Sequence, residues 1–240
     1  MKQSSFHLNH GVIPACDVDS LDELAWILSG TSNISGIVGY KIGCSLALRY
    51  GLQRVCRLVR DYCDYPIIYD HQKAGTDISY IGEKIMTICG LAGVDFVYVF
   101  PLAGPEIEQA YIQLAQSNNV IPVIGGGMTH CTYLASERGF IDNNAPSKIY
   151  EIAAKMGVEH FAMPGNRLEF IEKHVGLIAG SIEEPKFLFC GIGRQGGTVE
   201  QAFKASGGQA SYAVIGTSIY RAGNLGKAVR ELCDRALAFE

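Results

Sequence analysis

Asp70, His71, Lys73 and Asp77 fall within eight positions of the stretch "YDHQKAGTDI", and Lys41 sits in an earlier apolar run, "GYKIG". Two carboxylates and two amines that converge would form an alternating array of anions and cations. In a partly desolvated cleft each ion is costly unless neighbours neutralise it, and alternation supplies the neighbours. Such an array also fixes a protonated lysine in space and sets its pKa, as a positioned proton donor requires. An ion-pair network that only braces a strand end is the plainer alternative. Charges converging from adjacent strands favour the chemical reading.

A second group is rich in glycine. "GIGRQGG" (Gly191 to Gly197) and "IGTSIY" (Ile215 to Tyr220) follow apolar runs late in the chain. Backbone N–H groups can approach an anion closely where side chains are absent, so the two loops together predict a phosphate site around Gln195, Gly196, Gly216 and Thr217. One such loop alone would read as a tight turn.

Something must bring these groups together. Eight short apolar runs recur along the chain: "GVIPACD", "GIVGYKIG", "YPIIYDH", "VDFVYVF", "NVIPVIGG", "VEHFAMPG", "PKFLFCGIG" and "SYAVIGTS". They are apolar at consecutive positions, the mark of parallel strands covered on both faces. Amphipathic segments separate them. "SLDELAWILSG" opens on a capping box, Ser20 with Glu23, stops at Gly30, and carries Trp26 as an expected core residue. "SLALRYGLQRVCRLVRDYC" reads as one amphipathic segment. Eight strand–helix units most simply close into a single (β/α)8 TIM barrel, an α/β fold spanning residues 1–240 with no internal domain boundary. Chemistry in such barrels sits at the C-terminal strand ends. Those ends carry Asp17, Lys41, Asp70 with Lys73, Met128 to His130, and the two glycine loops.

Composition narrows the function classes. The 240 residues are 48% hydrophobic and 18% charged, enough apolar material for one continuous core, and the net charge of -4 comes without a Lys/Arg block. A sequence-independent grip on nucleic acid or an anionic membrane is therefore disfavoured, and a small-molecule partner is expected. The eight cysteines form no CxxC pair and lie mostly in apolar runs, so reduced, buried thiols are expected. The N-terminal stretch has no apolar run suited to a signal peptide, and no segment approaches the ~20 apolar residues of a membrane span, which predicts a cytoplasmic location. His7, His10, His160 and His174 show no metal-binding spacing.

The motifs "GYKIG", "DHQKAGTDI", "MTH", "GIGRQGG" and "GTSIY" fall in the order found in orotidine 5'-phosphate decarboxylases, and the chain resembles that family from Asp17 onward. The resemblance implies a homodimeric barrel that converts orotidine monophosphate to UMP, a step of de novo pyrimidine biosynthesis, with no metal and no organic cofactor. It further implies that Asp17 and Lys41 hold ribose hydroxyls and that Lys41 pairs with Asp70. Asp70 would face the substrate carboxylate and Lys73 would protonate carbon six of the pyrimidine. Asp77, with Ile78 and Ser79, would reach into the neighbouring subunit's site. Thr129 matches the hydroxyl residue that reads the pyrimidine edge, and Gln195 the glutamine between pyrimidine and phosphate.

The chain departs from the family pattern at two places. The family spacing is Asp-x-Lys-x-x-Asp, whereas one extra residue stands on each side of Lys73 here, which calls for a bulge or turn. The family also has arginine where this chain has Thr217, so the phosphate needs another guanidinium, with Arg194 and Arg221 as candidates. Two rival readings follow. One is a magnesium-dependent sugar-phosphate enzyme of the same superfamily, similar to ketogulonate phosphate decarboxylase or hexulose phosphate synthase. The other is a non-catalytic nucleotide-binding relative. "DI" at Asp77 and "QGG" at Gln195 favour the pyrimidine enzyme.

Overall fold

The computed structural model describes residues 6–71 and 76–240. Strands β1 (His10–Cys16), β2 (Tyr40–Gly43), β3 (Ile67–Asp70), β4 (Phe96–Val99), β5 (Ile121–Gly125), β6 (His160–Pro164), β7 (Lys186–Cys190) and β8 (Ala210–Ile215) pair in parallel and in sequence order. β8 pairs back onto β1, with Tyr212 opposite Gly11 and Ala213 opposite Val12, and this closes the barrel. Each of the eight apolar runs marks one strand, β1 and β8 starting one residue ahead of theirs.

Helices α1 (Leu21–Thr31), α2 (Cys44–Tyr50), α3 (Leu52–Tyr62), α4 (Ser79–Ala92), α5 (Pro105–Ser117), α6 (Ala145–Lys155), α7 (Leu168–Ala179), α8 (Val199–Ala205), α9 (Thr217–Tyr220) and α10 (Leu225–Leu237) occupy the connections. Their starts follow from local chemistry. Ser20 Oγ accepts from the Glu23 N–H at 3.2 Å while the Glu23 carboxylate accepts from the Ser20 N–H at 3.1 Å, which is the expected capping box. Asn224 Oδ1 caps α10 through the Lys227 N–H at 3.0 Å.

Two expectations need correction. The segment from Ser45 to Cys63 is two helices, because Gly51 takes a φ of +82° that a right-handed helix cannot contain. Trp26 is 46% exposed, not core. The buried stripe of α1 is Leu24, Ile27, Leu28 and Thr31, and a residue two places after Leu24 points about 200° away from it. The cysteines are all free; Cys16, Cys56, Cys89 and Cys233 are buried, but Cys44 and Cys131 are exposed because they lie at the head of α2 and in the loop after β5.

Strand parity divides the apolar residues into two layers. On β4, Phe96 and Tyr98 join the cluster inside the barrel while Val97 and Val99 pack beneath the helices. On β8, Tyr212 and Val214 point in while Ala213 and Ile215 point out. Phe6 caps the interior from the N-terminal side of the strands. Its ring stacks on Phe96 at 4.7 Å between centroids and lies 4.3 Å from that of Tyr212. No helix of the described residues is long and apolar enough to cross a membrane.

Candidate active site

The same parity aims the charges. On β2, Tyr40 and Ile42 belong to the outer layer, so Lys41 between them faces the barrel axis; on β3, Ile67 and Tyr69 are outward, so Ile68 and then Asp70 face inward. Register completes the arrangement, since Gly43 pairs with Asp70 and Ala15 with Lys41. Lys41 is 5% exposed, and its Nζ stands 3.1 Å from both oxygens of Asp17 and 2.5 Å from Asp70 Oδ2. A Cβ at Gly43 would lie 2.2 Å from Asp17 Oδ1, so only glycine at the end of β2 lets Asp17 lean across to the lysine.

Burial alone would drive the Lys41 amine toward neutrality. The facing Asp70 and Asp17 carboxylates, with the hydrogen bond to Asp70, outweigh burial and hold its pKa above the ordinary lysine value. Lys41 is therefore a fixed cation, suited to positioning and unsuited to giving up a proton. Asp70 Oδ1 is buried and has no hydrogen-bond partner among the described residues. Lys73, the next charge in sequence, lies outside them.

These ions form one wall of a pocket at the C-terminal mouth of the barrel. Its floor is neutral: Tyr98 and Cys190 face each other across 3.7 Å, and burial, reinforced by Asp70, pushes the Cys190 thiol up to about 11. A low-dielectric surface without charge suits the face of a planar ring. The far wall comes from the loops after β5, β7 and β8. Thr129, Arg194, Gln195, Gly216 and Thr217 all line the pocket with Asp17, Lys41 and Asp70, so eight of the residues anticipated from sequence share one cavity.

Other anticipated residues sit elsewhere. Gly196 is exposed, and its N–H donates to Gly193 O at 2.9 Å. The Gly193 and Gly197 N–H groups likewise donate within the loop, to Gly197 O and Gly191 O. The glycines thus build the loop's shape, with φ of +85°, +89° and +92° at Gly191, Gly193 and Gly196. Close contact between loops also depends on them, since a Cβ at Gly193 would lie 2.3 Å from Ser218 Oγ. Arg221, just past α9, is exposed and outside the lining. Asp77, Ile78 and Ser79 are exposed where α4 begins, and Ser79 with Tyr80 borders a separate shallow groove against α5. His130 is exposed. His71 does not line the pocket; its Nδ1 lies 2.7 Å from Tyr69 Oη, and burial lowers its pKa against the opposing pull of Asp70.

Sequence reasoning passed over Asn166, two residues past the end of β6. Its Nδ2 donates to Thr129 O at 3.0 Å and to Gln195 O at 3.1 Å. Among the described residues no three His, Cys, Asp or Glu side chains are grouped as a metal site would need.

Residues 11–232 match the family model described as orotidine 5'-phosphate decarboxylase / HUMPS. The chain belongs to this family. It is 30% identical over 224 residues to an orotidine 5'-phosphate decarboxylase of Pyrococcus abyssi, covering 93% of this chain and 97% of that one. A relative of the same name from Methanosphaera stadtmanae is 23% identical over 229 residues, covering 95% and 98%. Among solved structures, the orotidine 5'-monophosphate decarboxylase of Methanocaldococcus jannaschii, complexed with the inhibitor BMP, superposes with a TM-score of 0.81 at 22% identity, covering 94% of this chain and 98% of that one. The orotidine 5'-phosphate decarboxylase of Pyrococcus horikoshii OT3 gives 0.77 at 24%, covering 94% and 99%. At these identities the structural likeness speaks for the barrel.

Proposed function

We propose that this family member decarboxylates orotidine 5'-monophosphate to UMP, in de novo pyrimidine biosynthesis, without a cofactor. The observation that carries the reading is the Lys41 cation clamped between Asp17 and Asp70, in one pocket with Thr129, Gln195 and the loop at Gly216. Loss of carbon dioxide leaves a carbanion at carbon six whose charge no ring carbonyl can delocalise. A fixed ammonium beside that carbon stabilises what develops in the transition state. Lys41 is held by two carboxylates and suits ribose hydroxyls. The family resemblance assigns the proton donor to Lys73, three residues after Asp70 in sequence, and the spare Asp70 Oδ1 offers an acceptor that would hold its ammonium.

Thr129 would read the pyrimidine edge and Gln195 bridge ring and phosphate. With Thr217 at the family's arginine position, Arg194 supplies the guanidinium, since it lines the pocket and Arg221 does not. The remote phosphate contributes binding free energy that orders the loops and expels water. We further assign a homodimer, with Asp77, Ile78 and Ser79 completing the partner's site. Ile78 and Tyr80 are 61% and 59% exposed beside Asp77, a patch that an isolated subunit leaves wet. The location expected is the cytoplasm.

The magnesium-dependent alternative is disfavoured by the ammonium itself, which fills the space between the two carboxylates that a divalent cation would claim. The test is loss of ultraviolet absorbance of orotidine monophosphate, repeated in EDTA and with Lys73→Ala. Turnover unaffected by EDTA and abolished in the variant is expected. Turnover abolished by EDTA would favour the metal enzymes, and UMP binding without turnover would favour a non-catalytic relative.

A further inference from the structure

Asn166 stands on the loop after β6, between the loop that carries Thr129 and the loop that carries Gln195. Both its hydrogen-bond partners are main-chain carbonyls, which only accept, so the amide nitrogen must face them and each of its two hydrogens is matched to one loop. The packing around it is tight. A Cβ at Gly191 would lie 2.7 Å from Thr129 Cγ2 and 3.4 Å from Asn166 Oδ1, and one at Gly197 would lie 2.8 Å from Gly165 O. Gly165 N donates to Cys190 O at 2.6 Å, which ties the β6 loop to the end of β7. The neighbouring Arg167 grips the β5 loop as well, through Met128 O at 3.4 Å and an ion pair with Glu137.

We infer that Asn166 is a positioning residue that couples the phosphate-binding loop after β7 to the pyrimidine-reading loop after β5. Asn166 does not line the pocket; it acts by fixing the separation of two loops that do, through Thr129 and Gln195. Ordering of one loop by phosphate then lowers the ordering cost of the other. The inference rests on the proposed assignments of Thr129 and Gln195, and it adds that the coupling runs through one amide on a third loop.

The test uses the substrate's two halves. The dissociation constant of uridine is measured with and without saturating inorganic phosphate in the full chain, in Asn166→Ala and in Asn166→Asp. The aspartate keeps the volume but lacks both hydrogens and sets a carboxylate against two carbonyls. In the unsubstituted chain phosphate should tighten uridine at least fivefold; in both variants that factor should fall toward one, with thermal midpoints close to the parent. A merely structural role would weaken uridine and leave the factor unchanged, so a factor retained in a folded variant overturns the inference, as does a factor of one in the parent. A second measurement needs no variant. Inorganic phosphate alone should slow amide exchange at Met128, Thr129, His130 and Cys131, on a loop the phosphate does not touch, and unchanged exchange there overturns the coupling. Orotidine monophosphate turnover by the parent is measured beside these. Turnover with no coupling sinks this inference alone, and no turnover sinks the assignments on which it stands.

Discussion

Lys41 is where sequence and chemistry meet most directly. Removing one member of a buried ion pair is costly, so Lys41→Met should lose about 3 kcal/mol of stability in denaturant unfolding, as Asp70 loses the ammonium it pairs with at the pocket wall. It should also lower kcat/KM by at least ~10³-fold, because two carboxylates no longer have a fixed cation to align them. The phosphate assignment has its own test. Arg194→Ala should raise KM for orotidine monophosphate by ~10²-fold, in line with loss of a charge-assisted contact, whereas Arg221→Ala should change it less than about threefold. Equal effects would move the phosphate away from the β7 loop. Lys41, Asp70 and Asp17 were legible in the sequence because a charge inside an apolar run stands out and the barrel rule says which strand ends matter. Asn166 was not, since a polar residue in a loop has no periodicity to betray that its amide meets two carbonyls.

At the scale of elements, α2 and α3 show why a break is harder to read than a helix. The apolar spacing continues on both sides of Gly51, with Leu46 buried before it and Leu52, Val55 and Cys56 after it, so the period runs on while the axis changes. A Cβ at Gly51 meets nothing within 4 Å, so Gly51→Ala is a backbone test without a clash. The substitution should cost about 1–2 kcal/mol in thermal unfolding and leave kcat unchanged, because the strain falls on the helix junction and not on the site. Helix α5 holds a second lesson. Its buried face is Glu108, Tyr111, Ile112 and Ala115, a regular helical spacing that a reading by polarity assigns to the wrong side at Glu108. Burial pushes that carboxyl up to about 8, and Glu108 Oε1 has no hydrogen-bond partner among the described residues. Between its ordinary value of 4.5 and about 8 the unfolded chain releases a proton that the folded chain keeps, so stability falls as pH rises through that window. Glu108→Gln should match the parent near pH 4.5 and gain an advantage in thermal midpoint that grows up to pH 8. A constant difference across that range would show that Glu108 is not buried as a neutral acid.

For the whole molecule, buried histidines set the opposite limb. Burial lowers His160 to about 3 and His174 to about 4, from 6.5. Below 6.5 the unfolded chain takes up protons that the folded chain refuses, so stability drops toward acid. His71 is lowered in the same sense, so the histidines together outweigh the one glutamate up to pH 6.5, and the thermal midpoint of the full chain should peak at or just above 6.5 and decline beyond. Assembly is tested at the same scale. Sedimentation should show a dimer at micromolar concentration, and Asp77→Ala should abolish activity while mixing with an inactive Lys73→Ala chain restores part of it, since a mixed dimer holds one intact site. Full activity in a strict monomer would end that model. The ring of Phe6, seated against Phe96 and Tyr212, carries a last consequence. Among the described residues it plugs the barrel's N-terminal end, so in the proposed reaction carbon dioxide and nucleotide would share one way out, the C-terminal mouth.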